Sequence, residues 1–87
     1  MSTSHPRRFV FALTQDFSLL SYACAVETLR LANFTTGKEL YAWKIAAEDG
    51  VRAQCSGGQE IMADMGFGDV DRDETLIIVT GVNVHAA

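Results

Sequence analysis

The sequence predicts an α/β fold built on a parallel β-sheet, and three adjoining segments carry that prediction. Residues 9–13 (FVFAL) form a short apolar run, typical of a strand covered on both faces. A run with helical periodicity follows, and residues 40–50 (LYAWKIAAEDG) then resemble a strand that enters a turn. A strand–helix–strand opening is characteristic of parallel sheets, whose small-molecule sites usually lie at the carboxyl ends of the strands.

The predicted helix begins after Ser18, a good N-cap residue, and continues to Asn33, with Gly37 available to end it. Its bulky stripe should pack on the sheet and consists of Leu19, Tyr22, Val26 and Leu29. The opposite side carries small residues, which permit close approach by a dimer partner or by another part of the domain. We expect this interface to contain Cys24, Ala25, Thr28 and Ala32. The alternative is that these small residues only reflect helix propensity, since alanine is the best helix former.

The rest of the chain reads as a hairpin, a loop and a strand. Residues 51–55 and 59–63 are the predicted hairpin arms, joined by Gly57-Gly58. Residues 65–74 are rich in glycine and aspartate and predict a loop with room for one helical turn. Residues 75–81 (TLIIVTG) have the unbroken apolar content of a central parallel strand.

One helix cannot cover both faces of a parallel sheet whose strands are this apolar. We therefore expect the 87 residues to be the N-terminal part of a larger domain, with the order strand, helix, strand, hairpin, strand. Residues 1–8 are predicted to be a disordered tail, and residues 9–87 the part of the domain that is present.

Composition limits the classes of function. The net charge is −4, and the basic residues outside the tail are scattered, so this chain by itself is a poor candidate for nucleic-acid contact. No signal peptide or membrane-spanning run is recognisable. The two cysteines, Cys24 and Cys55, are too few for a disulfide scaffold, which favours free thiols in a reducing cytoplasm.

No catalytic, metal or cofactor site is predicted. Cys55 precedes Ser-Gly-Gly, but a nucleophile elbow requires a helix after the turn, and the following residues lack helical periodicity. Cys24 is expected to be an inert, buried thiol within the helix. His5 and His85 have no zinc-type spacing, and the acidic residues at 64–74 lack the glycine of a calcium loop. Glu27 is expected to pair with Arg30 at i,i+3, although contact with an effector or an interface is the alternative.

Two motifs connect the chain to a known family. They are A-V-E-x-L-R-x-A-N at residues 25–33 and G-x-E-L-Y-x-W at residues 37–43, and the match extends from about Arg8 to Asn83. The sequence resembles the N-terminal sensor domain of AraC-type transcriptional regulators. More narrowly, it resembles the amidotransferase-like regulators linked to arginine, carnitine and glycine-betaine metabolism.

That resemblance implies a flavodoxin-like three-layer sandwich of the PfpI-like, class I glutamine amidotransferase-like superfamily. Enzymes of this superfamily join a cysteine elbow to an acidic residue on the first helix and to backbone amides after a central strand. Here Ser21 aligns with the acidic position, Gly81, Val82 and Asn83 with the amide turn, and the elbow cysteine would lie beyond Ala87. A serine hydroxyl cannot set the pKa of a thiol as a neighbouring carboxyl group can.

The resemblance therefore implies a receptor without catalysis. We expect a small amine- or amino-acid-derived effector at the strand ends, in contact with Phe17, Ser21, Gly81, Val82 and Asn83. The intact protein would be a homo-oligomer and would bind DNA through a C-terminal helix-turn-helix domain. The alternative is a fragment of a PfpI-like cysteine-dependent hydrolase, amidase or isonitrile hydratase. A third possibility is a truncated module that only self-associates.

Overall fold

The computed structural model describes residues 6–81, and its elements follow the order predicted from the sequence. In chain order they are β1 (Arg7–Leu13), α1 (Leu19–Thr36), β2 (Tyr41–Ala47), β3 (Arg52–Gln54), β4 (Glu60–Met62), β5 (Met65–Gly66), a 3₁₀ turn (Phe67–Asp69) and β6 (Thr75–Val79). The α/β class is confirmed. Strand β5 was not predicted, because two residues are too few to show a periodic pattern.

Four strands form one parallel sheet in the order β5-β2-β1-β6. Strand β1 lies inside the sheet, where Phe11 is opposite Ile45 of β2 on one side and Ile77 of β6 on the other. The chain thus moves to one side of β1 through α1 and later returns to the other side as β6. The strand order reverses at β1, and in sheets of this type such a reversal opens a crevice at the carboxyl ends of the strands.

Helix α1 has well-defined ends. Ser18 is its N-cap, with φ −77° and ψ 112°, and the Ser18 hydroxyl accepts the Ser21 N–H at 3.2 Å. Gly37 ends the helix in the left-handed region at φ 68°, which glycine adopts without strain. The helix continues three residues past the predicted end at Asn33. Within residues 6–81, no helix is long and apolar enough to cross a bilayer.

The sheet face beneath α1, here called the front face, holds the larger core. Phe11, Leu13 and Phe17 are fully buried there, together with Val79. The helix contributes Tyr22, Val26 and Leu29 to this core, as predicted. The Tyr22 ring contacts Phe11 and Phe17 edge-on, with ring centroids 6.0 Å apart in both pairs.

The opposite face, here called the back face, is open mainly at β6, since Val10 and Ala12 of β1 are buried on it. Leu76 and Ile78 of β6 lie on it because side chains alternate along a strand, and they are 47% and 62% exposed. The segment 67–74 crosses this face, but its only helix is the three-residue 3₁₀ turn. The prediction of a central β6 is therefore wrong for the described sheet, where β6 pairs with β1 alone and lies at the edge. The apolar composition of β6 is typical of a strand covered on both faces, whereas in the described residues one of its faces is largely exposed.

Strand β1 begins earlier than predicted. Arg7 and Arg8, which the sequence placed in a tail, belong to the strand, and the Arg7 N–H donates to the Leu40 carbonyl at 2.9 Å. Pairing with the neighbouring backbone extends the strand beyond its apolar run. Of the rest of the predicted tail, Pro6 is described and has no regular secondary structure, and residues 1–5 lie outside the described residues.

The helix surface differs from the prediction at three positions. Cys24 is exposed rather than buried. Ala25, predicted on the outer side, packs against the front-face core, whereas Leu19 is 37% exposed. The side of α1 that faces the sheet is thus rotated toward Ala25, which leaves Cys24 in solvent.

Candidate functional site

A shallow concave surface lies where β1 and β6 end and α1 begins, at the carboxyl edge of the sheet. Its volume is about 390 Å³, and it is lined by Ser18, Ser21, Ser56, Thr80 and Gly81. Four of these five residues carry a hydroxyl group, and none carries a charge. We call this surface the hydroxyl pocket.

The start of α1 forms one wall of the hydroxyl pocket. The Ser18 N–H donates to the Thr80 carbonyl at 3.2 Å, which fixes the N-cap residue to the segment after β6. The Ser18 hydroxyl in turn accepts the Ser21 N–H. This N-cap arrangement explains why Ser18 and Ser21 face the same space: they are three residues apart on the first turn.

The hairpin forms the second wall. Its first arm ends beside the β1–α1 loop, where Phe17 and Cys55 form an isolated parallel bridge. The Ser56 N–H donates to the Phe17 carbonyl at 2.9 Å, and the Asp16 N–H donates to the Gln54 carbonyl at 2.8 Å. Ser56 is therefore held next to the helix N-terminus by backbone contacts between segments that are far apart in sequence.

Only some of the residues predicted to bind an effector lie at the hydroxyl pocket. Ser21 and Gly81 both line the hydroxyl pocket. Phe17 does not line the pocket, because its ring is fully buried in the front-face core. Its backbone carbonyl accepts the Ser56 N–H. Val82 and Asn83 lie outside the described residues.

Sequence reasoning missed three residues of the hydroxyl pocket. Ser18 was assigned only as a helix cap, Thr80 only as part of a strand, and Ser56 only as part of a rejected elbow motif. Their positions in the sequence could have identified them, because each of them directly precedes or follows a segment that ends at the same edge of the sheet. The pairing of the hairpin with the β1–α1 loop was not predictable from local patterns.

No charged side chain lines the hydroxyl pocket, and Asp16 is the nearest acidic residue in sequence, two positions before the N-cap. The first turn of α1 contains no acidic residue, so the positive end of the helix dipole is not neutralised from within the helix. Backbone N–H groups at a helix N-terminus and serine hydroxyls are both suitable donors to oxygen atoms. The arrangement can bind and orient a small polar molecule.

Cys55 lies below the hydroxyl pocket but is not placed as a nucleophile. Its side chain is 1% exposed, and its Sγ is 3.2 Å from the Gln59 Oε1. An amide oxygen does not accept a proton as a catalytic base does. This agrees with the prediction that Cys55 is a hairpin thiol. Within residues 6–81 no group of three or more metal-binding side chains is present, and the two histidines lie outside that range.

Three large apolar side chains are exposed on the outward side of α1, together with the Glu27–Arg30 pair. Leu20 and Phe34 are 74% and 79% exposed, and Leu31 between them is 48% exposed. Cys24 is exposed on the same side. We call Leu20, Cys24, Leu31 and Phe34 the outer stripe. Of the predicted interface residues, Cys24 and Thr28 are exposed, Ala32 is half-buried, and Ala25 faces the core.

Glu27 and Arg30 form the ion pair that the sequence predicted. The Arg30 Nη2 is 2.6 Å from the Glu27 Oε2, and the Arg30 Nε donates to Oε1 at 2.9 Å. This bidentate pairing lowers the pKa of Glu27 and raises that of Arg30. Both side chains are about half exposed, so the pair contributes little to stability.

Comparison with known proteins identifies two regulators as relatives. The HTH-type transcriptional regulator GbdR of Pseudomonas aeruginosa is 36% identical over 81 residues, which cover 93% of this chain and 22% of that protein. The HTH-type transcriptional regulator CdhR of the same species is 32% identical over 73 residues, covering 84% of this chain and 21% of that protein. The chain therefore spans about a fifth of the length of these relatives. No protein-family model matches the chain.

Solved structures support the same fold. An AraC family transcriptional regulator from Pseudomonas putida superposes with a TM-score of 0.79 at 24% identity, covering 94% of this chain and 51% of that chain. The DJ-1 superfamily protein Atu0886 from Agrobacterium tumefaciens superposes with a TM-score of 0.63 at 25% identity, covering 86% and 38%. The first of these likenesses concerns the fold alone.

These findings confirm the resemblance drawn from the two sequence motifs, and the relatives identified by sequence are named as regulators rather than enzymes, as predicted. The flavodoxin-like fold, present as its N-terminal part, is likewise confirmed. The chain is thus a homologue of AraC-type transcriptional regulators, with the fold of their N-terminal PfpI-like sensor domain.

Proposed function

We propose that this chain is the effector-binding part of a cytoplasmic AraC-type regulator and that it has no catalytic activity. The hydroxyl pocket is the observation that supports this proposal. It lies at the carboxyl edge of the sheet, where parallel sheets bind ligands. Its lining residues carry neutral hydroxyl groups and include neither a carboxyl group nor a thiol. Ser21 occupies the position at which the resemblance places the acid of the enzymes.

The effector class is a small amine- or amino-acid-derived metabolite bound through its carboxylate. The N-terminus of α1 favours negative charge, and the hydroxyl groups of Ser18, Ser21, Ser56 and Thr80 can donate to carboxylate oxygens. A cationic amine without a carboxylate lacks the group that the N-terminus of α1 favours. Betaines, carnitine and amino acids all carry a carboxylate, whereas choline and putrescine do not.

Calorimetry on the full-length protein tests this assignment. We expect binding by at least one carboxylate-bearing compound and none by choline or putrescine. Ser56→Ala should weaken binding about fivefold, which is the size of one lost hydrogen bond. Thr35→Ala, which removes an exposed hydroxyl at the far end of α1, should leave binding unchanged. Failure of every carboxylate-bearing compound to bind contradicts the effector class, and thiol-dependent turnover contradicts a purely sensory role.

We further propose that two copies associate through the outer stripe of α1. Three large apolar side chains exposed on one helix side are more than scattered surface hydrophobes, and Cys24 and Thr28 between them are small enough for close helix approach. Effector binding at the N-terminus of α1 would then be coupled to the dimer through one rigid helix. DNA would be bound by a domain outside this chain, whose net charge of −4 is unfavourable for phosphate contact.

Analytical ultracentrifugation of the full-length protein tests the interface. Leu31→Lys introduces a positive charge into the outer stripe, and lysine has nearly the helix propensity of leucine, so the helix should remain stable. The dimer dissociation constant should rise about tenfold or more. Met62→Lys changes a 66% exposed residue of β4 and is the control. Equal dissociation constants for the two variants contradict the proposed interface.

A further inference from the structure

Asp49 and Gly50 form the only Asp-Gly pair in the 87 residues, and neither asparagine precedes a glycine. The pair lies in the turn between β2 and β3, where Asp49 is exposed. A backbone nitrogen can attack the carboxyl carbon of the aspartate that precedes it, and glycine hinders this attack least because it has no Cβ. Asp49 is therefore the aspartate of this chain that is most prone to rearrange into isoaspartate.

The rearrangement needs only water as a reactant. The Gly50 nitrogen loses its proton and bonds to the Asp49 Cγ, while the Cγ–OH bond of the neutral acid breaks, so that one water leaves and a five-membered imide forms. Water then adds to the imide and opens it. Opening at Cγ restores aspartate, whereas opening at the former main-chain carbonyl gives isoaspartate, whose backbone runs through Cβ and Cγ. The overall change is an isomerisation that consumes no oxidant or cofactor.

The folded turn opposes the first step of this reaction. The Gly50 N–H donates to the Ala47 carbonyl at 3.1 Å, so the attacking nitrogen is already engaged. The Asp49 Oδ1 accepts the N–H groups of Val51 and Arg52 at 2.8 and 3.0 Å, which holds the carboxylate against the residues that follow Gly50. These bonds also lower the pKa of Asp49, and an ionised carboxylate has no hydroxyl group to lose. An open turn has none of these constraints.

The product does not fit the folded turn. Gly50 has a φ of 77°, and its backbone lies against β5, since a Cβ at this position would be 3.4 Å from the Gly66 nitrogen. Isoaspartate inserts one extra carbon into the main chain directly before this contact. It also attaches the carboxylate to Cα, one carbon closer to the backbone, so the two bonds that Asp49 accepts are lost. Strand β3 follows directly and must shift.

We propose that Asp49 is a site of isoaspartate formation that the folded turn protects, and that rearrangement there separates the β3–β4 hairpin from the β1–α1 loop. The contacts that join them are the bond from the Asp16 N–H to the Gln54 carbonyl and the bond from the Ser56 N–H to the Phe17 carbonyl. Both depend on the position of β3. The reaction proceeds from molecules in which the turn is open, so its rate follows the population of that open state.

Isoaspartate mapping of the full-length protein tests the site. Folded samples and samples in guanidinium chloride are incubated at neutral pH, and isoaspartate is located by mass spectrometry with electron-based fragmentation. Isoaspartate at position 49 should accumulate at least about tenfold faster in the denaturant than in the folded protein. Asp49→Glu, which would require a six-membered imide, should form none in either condition. Equal rates in the two conditions, or no isoaspartate at position 49 in the denaturant, overturn the proposal.

The buried thiol of Cys55 reports separation of the hairpin, because it is 1% exposed and Cys55 bridges to Phe17 of the β1–α1 loop. Asp49→Asn supplies the modified protein quickly, since its carboxamide releases ammonia in place of water and gives the same imide and the same two products. After incubation in denaturant and refolding, molecules with isoaspartate should be labelled at Cys55 about tenfold faster than molecules with aspartate.

Asp49→Glu carried through the same incubation is the control, and its labelling rate at Cys55 should not change. Equal labelling of the isoaspartate and aspartate forms overturns the separation of the hairpin. Both measurements are made without an effector, so they test this inference independently of the proposed function.

Discussion

Gly81, which lines the hydroxyl pocket, lies directly against the backbone of Asp16. A Cβ atom at position 81 would overlap the Asp16 carbonyl oxygen and would lie 3.1 Å from the Asp16 carbonyl carbon and 3.2 Å from that of Phe17. Asp16 is itself in the left-handed region at φ 61°, which bulky residues rarely adopt. The β1–α1 loop and the end of β6 can thus approach this closely only because residue 81 has no side chain.

Gly81→Ala should destabilise the protein and impair the hydroxyl pocket together. The methyl group must displace backbone atoms rather than a flexible side chain, which costs about 1–3 kcal/mol in the free energy of unfolding. Urea denaturation measures this cost. Gly68→Ala is a matched control, because no atom lies within 4 Å of its would-be Cβ. If both variants lose the same stability, the close approach at Gly81 has no energetic consequence.

Asn33 connects the end of α1 to the start of β2, and its replacement should be costly. Its Oδ1 accepts the N–H groups of Leu40 and Tyr41 at 2.8 and 3.0 Å, and its Nδ2 donates to the Tyr41 carbonyl at 2.9 Å. Asn33→Ala removes all three bonds and should cost about 1–3 kcal/mol. Asn33→Asp keeps both accepted bonds at neutral pH but places a carboxylate oxygen against the Tyr41 carbonyl, so it should recover only part of this cost. Urea denaturation would contradict this ranking if the aspartate variant were the less stable one.

Asp49 makes stability depend on acid pH. Its Oδ1 accepts the N–H groups of Val51 and Arg52 at 2.8 and 3.0 Å, and these bonds lower the pKa of the carboxyl group from its ordinary value of 3.8. The stabilisation is therefore fully present above pH 3.8 and is lost as the pH falls through the lowered pKa.

Asp49→Asn should consequently lower the thermal midpoint at neutral pH, and the difference from the parent should shrink in acid. Melting curves between pH 7 and about pH 2.5 provide the comparison. Glu27, whose pKa is lowered chiefly by its hydrogen bond to Arg30, titrates in the same sense, so Glu27→Gln serves as the reference for a surface ion pair. A difference for Asp49→Asn that stays constant over this range would contradict the assignment.

Local patterns were sufficient to predict most of the fold. The apolar run around Phe11 specifies β1, and the N-cap at Ser18 and the glycine at position 37 specify α1. Both elements formed, with β1 beginning two residues earlier and α1 ending three residues later than predicted. Which side of α1 faces the sheet was less predictable. Cys24 and Ala25 are adjacent small residues, and only packing against the sheet determines that Ala25 is the one turned inward.

The candidate site was predictable only in part, because it is assembled from distant segments. Ser21 and Gly81 were identified through the resemblance to a known domain. Ser56 is brought to the hydroxyl pocket by its backbone bond to Phe17, a contact between residues 39 positions apart that no periodic pattern encodes. Thr80 follows β6, whose place beside β1 results from the reversal of strand order.

The last prediction concerns Ser21, where stability and binding should change in opposite directions. Ser21 is the third residue of α1, and its N–H already bonds the Ser18 hydroxyl. Ser21→Glu adds a negative charge at the positive end of the helix dipole, which should stabilise the protein by about 0.5–1 kcal/mol. The same carboxylate occupies the hydroxyl pocket and repels an anionic effector group, so calorimetric affinity for a carboxylate-bearing effector should fall about tenfold or more.

Ser21→Gln separates the two effects. It has nearly the size of glutamate without the charge, so it should lack the added stability and lose much less affinity than Ser21→Glu. Melting temperature and effector affinity are measured on the same samples. If Ser21→Glu binds the effector as tightly as the parent does, the effector does not place its carboxylate at the N-terminus of α1, because a like charge at this position must repel it.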